Sequence, residues 1–170
     1  LLNFCYNYLR INTILDVGYT KIPGILQEDN FKYGLFSYKN ITKQSEVIFL
    51  KMPIISKQFP FLIPSWYGMA IWLTTPAFLL ILKADYRKRL SLITLIALII
   101  MSIPALTHAT VGFTQFGYRY AMDFTPFLIF LTAWGMKNTN KYLVYFLVTF
   151  SILINLWGVL WINKFNWVGW

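Results

Sequence analysis

Residues 83–107 read Lys83-Ala84-Asp85-Tyr86-Arg87-Lys88-Arg89, then Leu90-Ser91-Leu92-Ile93-Thr94-Leu95-Ile96-Ala97-Leu98-Ile99-Ile100-Met101-Ser102-Ile103-Pro104-Ala105-Leu106-Thr107. A dense basic run gives way to a long stretch without a charge. A membrane span needs roughly 20 mostly apolar residues, with a range of about 17 to 25, and Leu90 to Thr107 meets it. Working outward, Trp66 to Leu82 is a second apolar stretch, stopped by the same basic run. Downstream, Phe124 to Met136 is short by itself and reaches a spanning length if Tyr120 to Asp123 form its first turn. Tyr142 to Ile162 is the longest. The expectation is an all-α, polytopic membrane protein with about four transmembrane helices, at 66–82, 90–107, 120–136 and 142–162. Buried helices of a soluble domain are the alternative, but the chain has too little polar sequence to cover four such segments.

Composition agrees. The 170 residues are 58% apolar, 19% aromatic and 12% charged, with a mean hydropathy of +0.56. A soluble domain carries about twice that charged fraction, and a disordered chain is charge-rich and apolar-poor. One cysteine, Cys5, and one histidine, His108, leave no internal disulfide framework, multi-cysteine metal site or HExxH centre. The net charge of +9 does not point to nucleic acid, because the basic residues lie between apolar runs and not on a soluble face.

Charge position sets orientation. Residues 83–89 and 137–141 hold six Lys/Arg in twelve positions, whereas the loop from His108 to Asp123 holds Arg119 alone. The positive-inside rule makes the two basic loops cytoplasmic. Residues 1–65, the loop 108–123 and the C-terminus then lie outside. Residues 1–65 read as an extracytoplasmic, membrane-surface segment with short helices, followed by a transmembrane region at 66–170. Within the outer segment, Lys43 to Met52 is predicted as a helix capped by Thr42 and ended before Pro53. Its Val47-Ile48-Phe49-Leu50 either dips into the interface or forms a small core. Asn40-Ile41-Thr42 is a glycosylation sequon that has no meaning in a bacterial protein. The first residue is Leu1, which raises the expectation that the sequence is a piece of a longer one.

The most informative polar string is Gly112-Phe113-Thr114-Gln115-Phe116-Gly117-Tyr118-Arg119-Tyr120-Ala121-Met122-Asp123-Phe124-Thr125-Pro126-Phe127. Ionisable groups at membrane depth are costly and are functional candidates by default. Arg119 and Asp123 are four apart, so an α-helical turn would place them on one face. Arginine is a planar fork of donors matched to phosphate oxygens, with Gln115 and Tyr118 as neighbouring donors. Asp123 would orient Arg119 or accept a sugar hydroxyl. A structural pair that fixes how the third span meets its neighbours is the competing reading. A second cluster, Tyr6-Asn7-Tyr8-Leu9-Arg10 with Asp16-Val17-Gly18-Tyr19, fits carbohydrate and equally fits an interfacial aromatic belt. His108 is expected to hydrogen-bond at a helix end, Asn155 to bond between helices, and Pro76 and Pro104 to kink theirs. No GxSxG elbow, Walker loop or GxGxxG occurs.

Taken in order, Tyr6-Asn7-Tyr8-Leu9-Arg10, Gly18-Tyr19, Pro60-Phe61, Gly68-Met69, Thr75-Pro76-Ala77-Phe78, Gln115 to Phe127 and Asn155-Leu156-Trp157-Gly158 resemble the C-terminal part of bacterial multi-spanning membrane glycosyltransferases of the C-type fold. The group is similar to the protein mannosyltransferases and aminoarabinose transferases. The resemblance implies sugar transfer from a polyprenyl-phosphate carrier at the outer face of the bacterial inner membrane. The catalytic acid is expected upstream of this sequence, so Asp16, Glu28 and Asp29 are not carried over as the base. Arg119 is implied as the carrier-phosphate ligand, with Asp123, Gln115 and Tyr118 around it and Arg10 with Tyr19 lining the acceptor groove. Position 11 is Ile where the family pattern has an aromatic. The implied partners are membrane lipid and a polyprenyl-phosphate-linked sugar, with no nucleic acid. No cofactor is assigned, a divalent metal in the full-length enzyme is left open, and this stretch alone is expected to be inactive. A transporter or flippase of lipid-linked saccharides and a non-catalytic membrane subunit are the rivals.

Overall fold

In a computed structural model of the chain, residues 2–14, 18, 21–57, 59 and 61–164 are described. Tyr19, Asp16 and Pro60 fall outside them, so the expectations placed on those residues do too. The structure is mostly helical, as the apolar runs require, and contains one small hairpin among the described residues.

The charge-free stretch forms the expected helix. Helix α4 runs Arg89–Thr107 with Pro104 inside it. The orphan carbonyls at its C-terminal end must find donors, and residues 35–44 supply them. Thr107 O accepts from the Ser37 N–H at 2.8 Å and from Asn40 Nδ2 at 3.0 Å, and His108 O accepts from Gln44 Nε2 at 2.7 Å. That cap fixes the local helices. Ser37, not Thr42, starts them by accepting the Lys39 N–H. A 3-10 turn at Tyr38–Asn40 leads into α2, Ile41–Ser45, and a π turn at Glu46–Leu50. Val47 and Ile48 are buried while Phe49 and Leu50 are exposed, so this segment is half core and half surface.

Two of the expected spans are not continuous α-helices. Between 66 and 82 the chain forms α3, Ile71–Thr74, and a separate 3-10 helix, Pro76–Lys83. Pro76 lacks the N–H that would continue α3, and its ring clashes with the carbonyl four residues back. Groups freed at the break are taken by two residues far along the chain: Asn155 Nδ2 donates to Thr74 O at 2.9 Å, and Ser151 Oγ accepts the Ala77 N–H at 3.0 Å. The expected first turn Tyr120–Asp123 is likewise part of a 3-10 helix, Arg119–Asp123, set off from α5, Thr125–Lys137. Pro126 sits in the first turn of α5, where its missing N–H costs nothing, and it blocks an α-helix from running through from Arg119. Helix α1 spans Leu2–Ile11, and α6 spans Lys141–Val159 before widening into a π turn at Leu160–Lys164.

Helix α5 packs most extensively on the 3-10 helix Pro76–Lys83, and α4 and α6 flank that pair. Gly135 makes the contact close, since a Cβ there would overlap the Leu80 carbonyl oxygen. The core joins Val47 and Ile48 to Ala105, Val111, Tyr118, Ala121, Phe124 and Leu128. Strands β1 (Ile54–Ile55) and β2 (Leu62–Ile63) pair antiparallel, Ile54 opposite Ile63; apart from the flanking prolines, no residue pattern marks this hairpin. Among the described residues, two helices are long and apolar enough to cross a membrane: Arg89–Thr107 and Lys141–Asn163.

Candidate functional site

One of the amides that hold the loop after α4 lies within it. Gln115 is buried; its Nε2 donates to Tyr67 O at 2.6 Å and to Val111 O at 2.9 Å, and its Oε1 accepts the Arg119 N–H at 3.3 Å. Gly112 has φ +92°, and a Cβ there would lie 2.6 Å from Gln115 Oε1. Gly68, at φ +91°, would press on Gly117 backbone atoms at 3.0 Å. Both glycines therefore allow the amide to seat. Gln115 is a scaffold for the backbone of Arg119, and its polar atoms are engaged.

Tyr118 is also turned inward. Its hydroxyl donates to Gln44 Oε1 at 2.7 Å and approaches Ala105 O at 3.1 Å. Burial, with Tyr120 beside it as a lesser cause, pushes the phenol pKa well above its ordinary value. A neutral, core-facing phenol holds the loop against α2 and α4 and is not presented to a ligand.

Arg119 and Asp123 do not pair. The ion pair recorded among the described residues is Lys51 with Glu46, at 3.9 Å. The reason is the helix type. In a 3-10 helix, with three residues per turn, positions i and i+3 eclipse, so Met122 stands over Arg119 and Asp123 is rotated by about a third of a turn. Both ions are exposed. The Arg119 guanidinium instead lies 5.3 Å from the centroid of the Tyr120 ring.

Arg119 lines a cavity of about 430 Å³ together with Lys43, Glu28, Asn30, Trp66 and Phe113. Lys43 Nζ donates to Asn30 Oδ1 at 2.6 Å. The Trp66 and Phe113 rings meet edge to face, centroids 4.8 Å apart. Arg119 and Lys43 thus line one space together with aromatic residues, a composition that suits a phosphate attached to a group with an apolar face. Behind it, Thr110 Oγ1 and the Tyr120 hydroxyl are 3.2 Å apart, and His108 Nδ1 accepts the Thr110 N–H at 3.1 Å. His108 is the residue that ends α4, and its ring contacts Phe36 and Tyr120.

Of the described residues expected to bind substrate, Arg119 lines this cavity. Asp123 and Arg10 are not among its lining residues; Arg10, on α1, lies 6.0 Å from the Tyr6 ring centroid. Lys43, Glu28 and Asn30 come from the 1–65 segment and belong to no motif; their meeting at the cavity marks them. Among the described residues, no three His, Cys, Asp or Glu side chains gather as a metal site. No known family, curated protein or solved structure matches this chain.

Proposed function

We propose that the chain is the C-terminal part of a polytopic integral-membrane glycosyltransferase that takes a sugar from a polyprenyl-phosphate carrier at the outer membrane face. The observation that carries the reading is the cavity: Arg119 and Lys43 converge on one space walled by Trp66 and Phe113. Guanidinium and ammonium groups are strong phosphate donors, and aromatic walls suit the C–H face of a sugar.

Membrane embedding is supported by the surface. The apolar windows of the two long helices are 17% and 11% buried, whereas a soluble core helix is mostly buried. Lipid is the medium that covers such faces. The basic residues also gather by end. Lys83, Arg89, Lys137 and Lys141 each stand at the terminus of a helical element, and Asn138 Nδ2 donates to Lys83 O at 2.9 Å, joining two of those termini. Arg119 precedes the opposite end of α5. That sorting favours cytoplasmic 83–89 and 137–141 loops, with the cavity outside. The break at Thr75–Pro76 would favour a transporter, whose sites use broken helices; Asn155 already occupies the Thr74 carbonyl there, which weighs against an open ion site.

The test is Arg119→Ala in the full-length protein. The expected result is normal folding, loss of polyprenyl-phosphate-sugar binding and loss of labelled-sugar transfer to an acceptor. Binding without any transfer by the unaltered protein would favour the transporter, and unaltered binding by Arg119→Ala would sink the phosphate assignment.

A further inference from the structure

Two cations account for a phosphate and leave one group in the cavity unexplained. Glu28 lines the same 430 Å³ space as Arg119 and Lys43. It joins two 3-10 turns, Ile25–Gln27 and Asp29–Phe31, through extended backbone at φ −66°, ψ 143°. The Phe31 N–H bonds to Glu28 O at 2.9 Å, and the Phe31 side chain is buried, so the backbone of Glu28 is fixed by its neighbours. Lys43 is oriented by Asn30 and the Arg119 backbone by Gln115. Among the described residues, the recorded ion pair is Lys51 with Glu46, so Glu28 lines the cavity with two cations and is in an ion pair with neither. A carboxylate there repels a bare phosphate. It becomes favourable when the ligand also brings hydrogen-bond donors, because an ionised acid only accepts.

We propose that Glu28 is the specificity-determining residue of this cavity, accepting hydrogen bonds from hydroxyls of a sugar ring whose phosphate sits on Arg119 and Lys43. The inference rests on the phosphate reading of the cavity given above. The ring lies against Trp66 and Phe113, and the ligand class is a glycosyl phosphate, discriminated from an alkyl phosphate by Glu28.

The test uses the full-length protein in lipid nanodiscs and two probes, glucose 1-phosphate and methyl phosphate, with binding followed by calorimetry. The unaltered protein should prefer glucose 1-phosphate. In Glu28→Ala the two affinities should move in opposite directions. Glucose 1-phosphate weakens as its hydroxyls lose their acceptor, and methyl phosphate tightens as the repulsion is relieved, so the preference falls by about tenfold. A merely structural role would move both probes the same way. Glu28→Gln, which keeps an acceptor oxygen without the charge, should retain part of the preference. Affinities that fall together, rise together or keep their ratio in Glu28→Ala overturn the assignment of Glu28. Arg119→Ala and Lys43→Met should weaken both probes alike; if they leave methyl phosphate binding intact, the phosphate reading itself fails. Absence of binding by the unaltered protein overturns both.

Discussion

Gln44 is fully buried, and every polar atom of its amide is used: Nε2 donates to His108 O and to Thr110 O, at 2.7 and 2.9 Å, and Oε1 accepts from Tyr118. One side chain thus ties α2 to the end of α4 and to the loop that carries Arg119. Removing one partner of a buried polar pair leaves the other unsatisfied, at a cost of about 1–3 kcal/mol. Tyr118→Phe should therefore destabilise by about 1–3 kcal/mol, read from unfolding in detergent micelles, while Arg119 remains in place. The pH dependence carries a sign. Because burial raises the folded-state pKa of Tyr118, its contribution is complete below the unfolded-state value of about 10 and is lost as pH rises beyond it. The unaltered protein should consequently lose more stability than Tyr118→Phe above about pH 10; parallel curves would refute the buried-phenol account. Asn40 follows the same logic, since its Nδ2 is committed to Thr107 O and its side chain is buried, so the sequon around it offers no accessible amide. None of this was legible in the sequence. A glutamine between Lys43 and Ser45 looks like a solvated residue, and only the meeting of distant segments turns it into a core staple. Tyr118 and Gln115 stood out for their chemistry, and that chemistry serves the fold.

At the scale of elements, legibility followed proline. Helices α4 and α6 were readable because each apolar run carries through as one α-helix: Pro104 lies within the last turn of α4, so most of the helix precedes the hydrogen bond that its missing N–H removes. Pro76 and Pro126 each fall where an α-helix would have to pass through, and each converts an apolar run into a 3-10 piece and an α piece. Hydropathy counts apolar residues and is blind to that change, which is why spans expected at 66–82 and 120–136 appear as composites. The same change undid the Arg119 and Asp123 pairing, since four residues is a shared face at 3.6 residues per turn and not at 3.0. The composite pieces are held by close packing. Gly135 of α5 lies against the Leu80 backbone so tightly that a methyl group would overlap its carbonyl oxygen, and a backbone atom cannot swing away as a side chain can. Gly135→Ala should separate α5 from the 3-10 helix and destabilise by about 3 kcal/mol or more, the upper end for overpacking. Gly34→Ala is a useful contrast: its added Cβ meets no atom within 4 Å but must tolerate φ +83°, so its smaller loss is backbone strain. Equal losses in the two variants, measured by the same micellar unfolding, would show that the α5 contact is not as tight as described.

For the whole molecule, the decisive property is that the exposed apolar surface and the charges are sorted. Helix α4 turns Leu92, Ile96, Ile99 and Ile103 outward, and α6 turns out Phe146, Phe150, Leu153 and Leu156. In water such contiguous faces would drive association; in a bilayer they are ordinary. Basic residues stand beside these faces at the Lys83, Arg89, Lys137 and Lys141 end. The cavity with Arg119 and Lys43 draws on residues from the N-terminal segment and the 108–123 loop. Under the proposed orientation these two groups fall on opposite sides of a bilayer, and this yields a prediction independent of sugar chemistry. In a full-length protein with Cys5→Ser to remove the exposed native thiol, Met122→Cys should react with a membrane-impermeant maleimide added to intact cells, because Met122 is 75% exposed and lies on the Arg119 side. Asn138→Cys, between Lys137 and Lys141, should react only after the membrane is opened. Reversal of the two patterns would place the cavity in the cytoplasm, where a carrier-linked sugar at the outer face could not reach it. Labelling of both thiols from outside would mean that α5 does not separate the two aqueous sides, and the exposed faces of α4 and α6 would then have to be covered by protein.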